Sequence, residues 1–219
     1  MWNRMLKRRV KMKILVLNVT NWIGYHMTDG LLNAGHEVVG VKGEEGNEHF
    51  IDFFARNSQF HLIERPERGS FPLVICIEDA DVADDVEYDR LYLINHKEKR
   101  KNAISIEAPC LFGEWMPMTE EDLEQMGENV TFSSEKLLSD GIYIGDFLEF
   151  FITFIEKEPE MENIRLWPAR NQGKKLEKSF LVDENIPIQE KLQQVISHYK
   201  RFKDLYPQNM RNMDGSGSS

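Results

Sequence analysis

The sequence predicts an α/β fold, a doubly wound parallel sheet with a small, reduced C-terminal lobe. The segment from Leu15 to Lys42, LVLNVTNWIGYHMTDGLLNAGHEVVGVK, has an apolar run, a turn, an amphipathic helix and a second apolar run, which is the pattern of a βαβ unit. Further along the chain, apolar strands continue to alternate with helical segments. The hydrophobic content of 41% and aromatic content of 11% are those of a globular protein.

The elements can be predicted in chain order from their periodicity. The first strand is expected at Lys13–Val19, and the first helix at Ile23–Asn33, where Gly35 ends it. Glu37–Val41 is typical of a strand inside a parallel sheet. Further strands are predicted at Phe60–Ile63, Pro72–Ile77, Arg90–Asn95, Ala103–Phe112 and Asn163–Trp167, and further helices at Glu48–Arg56, Glu120–Met126, Asp146–Glu156 and Ile188–Leu205. The acidic stretch EDADVADDVE is predicted to be a short solvated helix or loop.

Charge and composition exclude several classes of function. The net charge of -10 on 219 residues would repel the phosphates of nucleic acids. No apolar run approaches the roughly 20 residues that span a bilayer. The histidines form no HxxxH or HExxH motif, and Cys76 and Cys110 lie in apolar runs without metal-ligand spacing. We therefore expect no nucleic-acid, membrane or metal site, and a reducing, cytoplasmic location.

The turn after the first strand stands where a phosphate-binding turn would be, but it lacks two glycines. Such a turn uses glycine for a tight bend, for close approach to a pyrophosphate and for helix packing. Here Asn18, Asn21 and Gly24 take those places, and Lys42 stands where an acidic residue would bind the adenosine ribose. Asparagine tolerates a left-handed backbone, but its side chain projects toward the pyrophosphate. A lysine suits a 2′-phosphate or no ligand, so retained and lost dinucleotide binding both stay open.

These segments resemble the extended short-chain dehydrogenase/reductase family, the NAD-dependent epimerase/dehydratase group. LNVTNWIGYHMTDGLLNAGHEVVGVK is similar to the family's TGATGFIGSHLVDALLEAGHEVVGLD, FPLVICIEDA resembles DVVIHLAA, and RLYLIN resembles the fifth strand. EAPCLFGEW is similar to RPxxVYGPG, and IYIGDFLEFFITFIEKEP resembles xVHVDDVAxAIxxALE. The resemblance implies strand order 3-2-1-4-5-6 and NAD or NADP as cofactor. It implies cofactor-binding positions at Asn18, Thr20, Asn21, Trp22, Ile23, Gly24 and Lys42.

One departure from the family concerns its catalytic residues. The family carries Tyr-x-x-x-Lys on a helix after the fifth strand, where the tyrosine is the acid/base and the lysine lowers its pKa. Here HKEKRKN replaces that helix, and the residues four places after Tyr88 and Tyr92 are Tyr92 and His96. We therefore assign no catalytic residue. We predict a catalytically inactive binding or regulatory module with weak or lost dinucleotide binding. The alternative is a divergent NAD(P)-dependent reductase or nucleotide-sugar epimerase/dehydratase that uses His96 with Lys97 or Lys99.

The predicted organisation is a basic arm at 1–12, a Rossmann-like NAD(P)-binding-type domain at 13–112, a reduced C-terminal lobe at 113–206 and a flexible tail at 207–219. In the predicted strand order the two cysteines lie roughly 10 Å apart, so both thiols should be free. Without the missing helix, one face of the fifth and sixth strands needs another cover. We expect the C-terminal segment there, or a homodimer or protein partner in which Trp115, Met116 and Met118 take part.

Overall fold

The computed structural model describes residues 11–44, 46–66, 69–125, 128–157, 161–174 and 179–206. The strands are β1 Lys13–Leu17, β2 Glu37–Val41, β3 Phe60–Ile63, β4 Ser70–Ile77, β5 Glu87–Ile94, β6 Ala103–Glu107, β7 Leu111–Phe112, β8 Asp122–Gln125, β9 Glu128–Thr131, β10 Ile142–Tyr143, β11 Asn163–Pro168 and β12 Ser179–Val182. The helices are α1 Trp22–Asn33, α2 His49–Phe54, α3 Glu135–Asp140, α4 Ile144–Glu156 and α5 Ile188–Phe202, with 3-10 turns at Ala169–Lys174 and Lys203–Leu205.

The main sheet is parallel and confirms the predicted strand order. Its order is β12-β11-β6-β5-β4-β1-β2-β3, so the core order 3-2-1-4-5-6 is extended at one edge by β11 and β12. Cys76 and Cys110 are both free, as the strand order required. Among the described residues, no helix has the length and apolarity needed to cross a bilayer. The boundary at residue 112 stays a prediction, as do the arm before residue 11 and the tail after 206, which lie outside the described residues.

The structure corrects two predicted elements. The helix predicted at Glu120–Met126 is wrong, because β8 pairs with β9 in an antiparallel hairpin that buries Leu123 against Val130. The single strand predicted at Ala103–Phe112 is interrupted between β6 and β7. The Asn95 side chain accepts a hydrogen bond from the backbone N–H of Ala108 and donates one to its carbonyl oxygen. Pro109 has no backbone N–H to donate to a neighbouring strand. Helix α3 and strands β9, β10 and β12 were not predicted.

One face of the sheet packs against helices α1 and α4. Ile14, Val16 and Ile75 point to this face, and all three are fully buried. The two helices also pack against each other, because a Cβ added at Gly30 of α1 would lie 3.4 Å from the Leu148 side chain of α4. This layer fixes where α1 begins, and therefore fixes the turn between β1 and α1.

The other face has no helical cover in the described parts of the connections at 64–69, 78–86 and 95–102. Leu91 and Leu93 of β5 are nevertheless only 1% exposed. They pack in one cluster with Val82 and Val86 of the acidic stretch, which are each 5% exposed. The expectation that the C-terminal segment or a partner covers Leu91 and Leu93 is therefore wrong. The acidic stretch was predicted to be a short solvated helix or loop. It is a loop between β4 and β5, and it is only partly solvated because Val82 and Val86 are buried.

The three apolar residues expected to contact a partner are also buried within the chain. Trp115, Met116 and Met118 lie in the second core cluster, together with residues of α5. The backbone of Trp115 is left-handed, with φ of 64°, and its N–H donates to the Tyr206 hydroxyl at 3.2 Å. Aromatic rings of α5 and the following turn therefore complete this part of the lobe, which leaves Trp115 unavailable to a partner.

The loop HKEKRKN holds the acidic loop in place on the sheet. The His96 side chain is 4% exposed, and its Nε2 lies 3.2 Å from the carbonyl oxygen of Ala80. Arg100 donates to the Asp81 carboxylate and to the Val82 carbonyl oxygen. Two loops of opposite charge thus replace the helices that usually cover this face of a parallel sheet.

If the acidic loop covers the sheet by burying its valines, Val82→Ala should lower the free energy of unfolding by about 1–2 kcal/mol. The matched control, Asp84→Ala in the exposed part of the same loop, should stay within about 0.5 kcal/mol of wild type. Urea denaturation measures both values. Equal, negligible effects would contradict a covering role for Val82.

Candidate functional site

Three neighbouring strands of the sheet end in left-handed residues. Asn18 follows β1 with φ of 71°, Glu78 follows β4 with φ of 55°, and Asn95 follows β5 with φ of 49°. The backbone N–H of each residue donates to a carbonyl oxygen near the end of an adjacent strand. The acceptors are Val41, Ile94 and Ile106 respectively. Left-handed backbone is costly for residues other than glycine and is concentrated at functional sites. The carboxyl ends of β1, β4 and β5 therefore form the candidate site.

The turn between β1 and α1 keeps the shape predicted for it. Asn18 supplies the left-handed bend, and a Cβ added at Gly24 would lie 2.0 Å from the Asn18 carbonyl oxygen. Gly24 thus permits the close packing of helix on strand that the third glycine of a phosphate-binding turn provides. Asn21 is the N-cap of α1, and its Oδ1 accepts from the backbone N–H of Ile23 at 2.8 Å.

Asn21 also connects the start of α1 to a carboxylate. Its Nδ2 donates to Oε2 of Glu78 at 2.8 Å, so the Glu78 side chain lies beside the N-terminus of the helix. A helix N-terminus carries positive potential and is where dinucleotide-binding folds place the pyrophosphate. In this chain one of its own carboxylates lies beside that position. Burial raises the pKa of Glu78, the Asp79 carboxylate raises it further, and the Asn21 bond and Lys97 oppose the rise.

The connection between β2 and α2 lies directly on the turn. Thr20 is 2% exposed, its Oγ1 accepts from the N–H of Gly43 at 3.0 Å, and its carbonyl oxygen accepts from the N–H of Asn47 at 2.9 Å. The Asn18 side chain reaches the same connection, since a Cβ added at Gly43 would lie 2.0 Å from Asn18 Oδ1. Protein atoms therefore fill the crevice between the ends of β1 and β2.

Lys42, at the end of β2, forms an ion pair with Glu48 with a distance of 3.0 Å between Nζ and Oε2. Its side chain is 41% exposed, so the pair is solvated. The lysine thus lies at the predicted position directly after β2, at the start of the connection that covers Thr20. The seven predicted cofactor-binding residues are adjacent in space, but Thr20 and Lys42 are already engaged by the chain itself.

Beyond Glu78 the site opens into a cavity of about 500 Å³ at the carboxyl ends of β4, β5 and β6. Three residues of the predicted set line it: Asn21, Trp22 and Ile23. Its remaining lining residues are Glu78, Asp79, Asn95, Lys97, Ala108, Pro109, Leu111, Pro117 and Glu124. Sequence reasoning missed Glu78. The available signal was its place directly after a buried strand, where open α/β sheets bind ligands.

The residues considered for alternative catalysis are placed differently. His96 has both ring nitrogens within 3.2 Å of backbone groups of Ala80 and Glu98, and it does not line the cavity. Lys97 lines the cavity but is paired with Asp79 at 2.9 Å. Tyr92 is fully buried on the sheet face that packs against α4, where its ring contacts Phe151. Among the described residues, no group of three or more His, Cys, Asp and Glu side chains is arranged to hold a metal.

Comparison with known proteins identifies the fold. No family model and no curated protein matches the sequence. Among solved structures, the chain is similar to Pal from Bacillus thuringiensis, with a TM-score of 0.59, 12% identity, and coverage of 87% of this chain and 100% of that one. A UDP-galactose 4-epimerase gives a TM-score of 0.56, 12% identity, and coverage of 87% and 99%.

A third solved structure is dTDP-glucose 4,6-dehydratase from Bacillus anthracis str. Ames in complex with NAD. It gives a TM-score of 0.55, 10% identity, and coverage of 89% of this chain and 98% of that one. At 10–12% identity these likenesses establish a shared Rossmann-like fold.

The close packing at Gly24 predicts that Gly24→Ala lowers the free energy of unfolding by about 1–3 kcal/mol, because the added methyl group overlaps backbone. Gly30→Ala, in the same helix, meets only the Leu148 and Ile152 side chains, at ordinary contact distance, and should raise stability by about 0.5–1 kcal/mol. Thermal and urea denaturation measure both. A harmless Gly24→Ala would mean that α1 can move away from β1.

The raised pKa of Glu78 predicts a pH-dependent effect of Glu78→Gln. An acid whose pKa is higher in the folded than in the unfolded protein favours folding when protonated, and this contribution is lost as the pH rises through the folded value. Glutamine imitates the protonated form and keeps an oxygen for Asn21. The variant should therefore melt above wild type at pH 7, with the difference shrinking toward pH 4. A lower melting temperature at pH 7 would contradict the shift.

Proposed function

We propose that this chain is a catalytically inactive relative of the NAD-dependent epimerase/dehydratase group, acting as a binding or regulatory module in which dinucleotide binding is weak or lost. The observation that carries the proposal is the Glu78 carboxylate held beside the N-terminus of α1 by Asn21, at 2.8 Å. A second anion would meet like charge at close range, at a cost of about 1–4 kcal/mol at 4 Å. This repulsion disfavours a pyrophosphate.

The crevice that would hold the adenosine half supports the same conclusion. The connection after β2 donates two backbone hydrogen bonds to Thr20, and Asn47 of that connection is in turn bonded to the carbonyl oxygen of Leu205. Opening the crevice would require these bonds to break together. A dinucleotide would therefore have to displace part of the fold as well as bind.

The lack of an acid/base pair supports inactivity. The loop after β5, 95–102, contains no Tyr-x-x-x-Lys motif and instead holds the acidic cover on the sheet. A pair with that spacing, Tyr199 and Lys203, lies at the end of α5, where Tyr199 is buried and neither residue lines the cavity. His96, which the catalytic alternative would use, is bonded to that cover and lies outside the cavity lining. The histidine that a divergent reductase or epimerase would use is thus engaged by the acidic loop.

Calorimetry with NAD, NADH, NADP and NADPH tests the proposal. We expect dissociation constants of about 1 mM or weaker for wild type, with NADP bound no more weakly than NAD because Lys42 is basic. Asn18→Gly with Asn21→Gly should bring little gain, since the backbone of Glu78, bonded to Ile94, still keeps its negative charge near the start of α1. Adding Glu78→Gln should improve affinity at least tenfold, because the like charge is removed.

Asp84→Asn in the same background is the control, because it removes one negative charge far from α1. It should leave affinity unchanged. A sub-micromolar dissociation constant for NAD in wild type would overturn the proposal, and turnover of any nucleotide sugar with NAD(P) would establish the catalytic alternative.

A further inference from the structure

We propose that the cavity at the carboxyl ends of β4, β5 and β6 binds a small organic cation, a protonated amine joined to an apolar group, with Glu78 as the acceptor of the ammonium group. The inference rests on the proposed function, since it assumes that a dinucleotide is not the occupant. The volume of this cavity, about 500 Å³, lies within the range of small-molecule sites.

The charge of the cavity favours a cation. Among the residues that the structure describes, three carboxylates line it, those of Glu78, Asp79 and Glu124, against the single ammonium group of Lys97. Lys97 is paired with Asp79 at 2.9 Å, which leaves two carboxylates. Neither Glu78 nor Glu124 forms an ion pair with any of the described residues. Phosphates and carboxylates would meet net negative charge here, whereas an ammonium group would be attracted.

Glu78 is the carboxylate with unused capacity. Two carboxylate oxygens offer about four acceptor positions, and the side chain of Asn21 fills one of them, on Oε2. The residue is fixed in place, because its left-handed backbone donates to the Ile94 carbonyl oxygen at 2.9 Å. Burial makes its ionised form unfavourable, and an ammonium group of a ligand would supply the missing counter-charge.

The rest of the lining suits the apolar part of such a ligand. Trp22 and Ile23 come from the first turn of α1, and Pro109, Leu111 and Pro117 come from the segments after β6 and β7. These residues offer apolar surface and no charge. The Trp22 indole adds a π face, which attracts organic cations. A single aromatic ring with one amine matches this combination of one carboxylate and an apolar wall.

The test uses benzylamine, with benzyl alcohol and benzoate as neutral and anionic analogues of nearly the same shape. Titration calorimetry and ligand-observed NMR on wild type at pH 7.5 should give a dissociation constant of about 1–10 mM for benzylamine, and no detectable binding of benzoate. Glu78→Gln should weaken benzylamine binding at least tenfold. Glu124→Gln, on the solvent side, should weaken it about twofold, and Asp84→Asn should have no effect.

Dependence on pH gives a second readout. The charged groups facing Glu78 are Asp79 on its own loop, Lys97 on the loop after β5 and Glu124 on β8, while α1 contributes the neutral Asn21. Because binding needs the ionised form of Glu78, affinity should fall as the pH is lowered through its raised pKa, and binding should release protons. Calorimetry in buffers of different ionisation enthalpy measures this release.

Several outcomes would overturn the inference: equal binding of benzyl alcohol, binding of benzoate, an unchanged affinity in Glu78→Gln, or no binding of benzylamine at 50 mM, a ceiling of about five times the weakest expected value. The last result, together with the absence of dinucleotide binding, would leave the proposed function standing and reject only the cationic ligand. Tight NAD binding that displaces benzylamine would reject the proposed function instead.

Discussion

The hydrogen bond between Asn21 and Glu78 joins the start of α1 to the end of β4, and the arrangement of charge at the candidate site depends on it. Through Asn21 the N-terminus of α1 is capped and at the same time joined to the end of β4. The positive end of the helix, which attracts phosphates in related folds, then faces a carboxylate of the protein itself. The same bond leaves most of the acceptor capacity of Glu78 directed toward the cavity. The start of α1 is thus combined with negative charge while the strand order 3-2-1-4-5-6 is kept.

The short loop after β5 and the cover of the sheet are two aspects of one structural arrangement. Where related folds place helices, this chain has an acidic and a basic loop that bind each other. The exposed ion pairs between them contribute little, about 0–1 kcal/mol each. The stabilisation comes mainly from Val82 and Val86, which seal Leu91 and Leu93 from water. His96 and Arg100 then serve to position the loop, which explains why a histidine just past a strand end has no access to the cavity.

The C-terminal segment takes part in closing the crevice between β1 and β2 as well as in building the lobe. Asn47 of the connection after β2 is bonded to the carbonyl oxygen of Leu205, and the adjacent Tyr206 holds the strained backbone of Trp115. Tyr206 also contacts His198 of α5 through its hydroxyl group, at 2.9 Å. The crevice between β1 and β2 is therefore closed by contacts that extend across both halves of the chain.

The sequence by itself determined the sheet and the turn, because their signals are local and periodic. Continuous apolar strands and an amphipathic helix were enough to predict a parallel α/β sheet, and the asparagine at position 18 was compatible with a left-handed bend. The order of the strands came from the resemblance of these segments to a known family. Only the tertiary structure decided what fills the site. That Glu78 meets Asn21, that Gly43 meets Thr20, and that an acidic loop covers Leu93 are contacts between residues far apart in the chain. No local pattern encodes them, since a glutamate after a strand looks the same whether it faces water or a helix N-terminus.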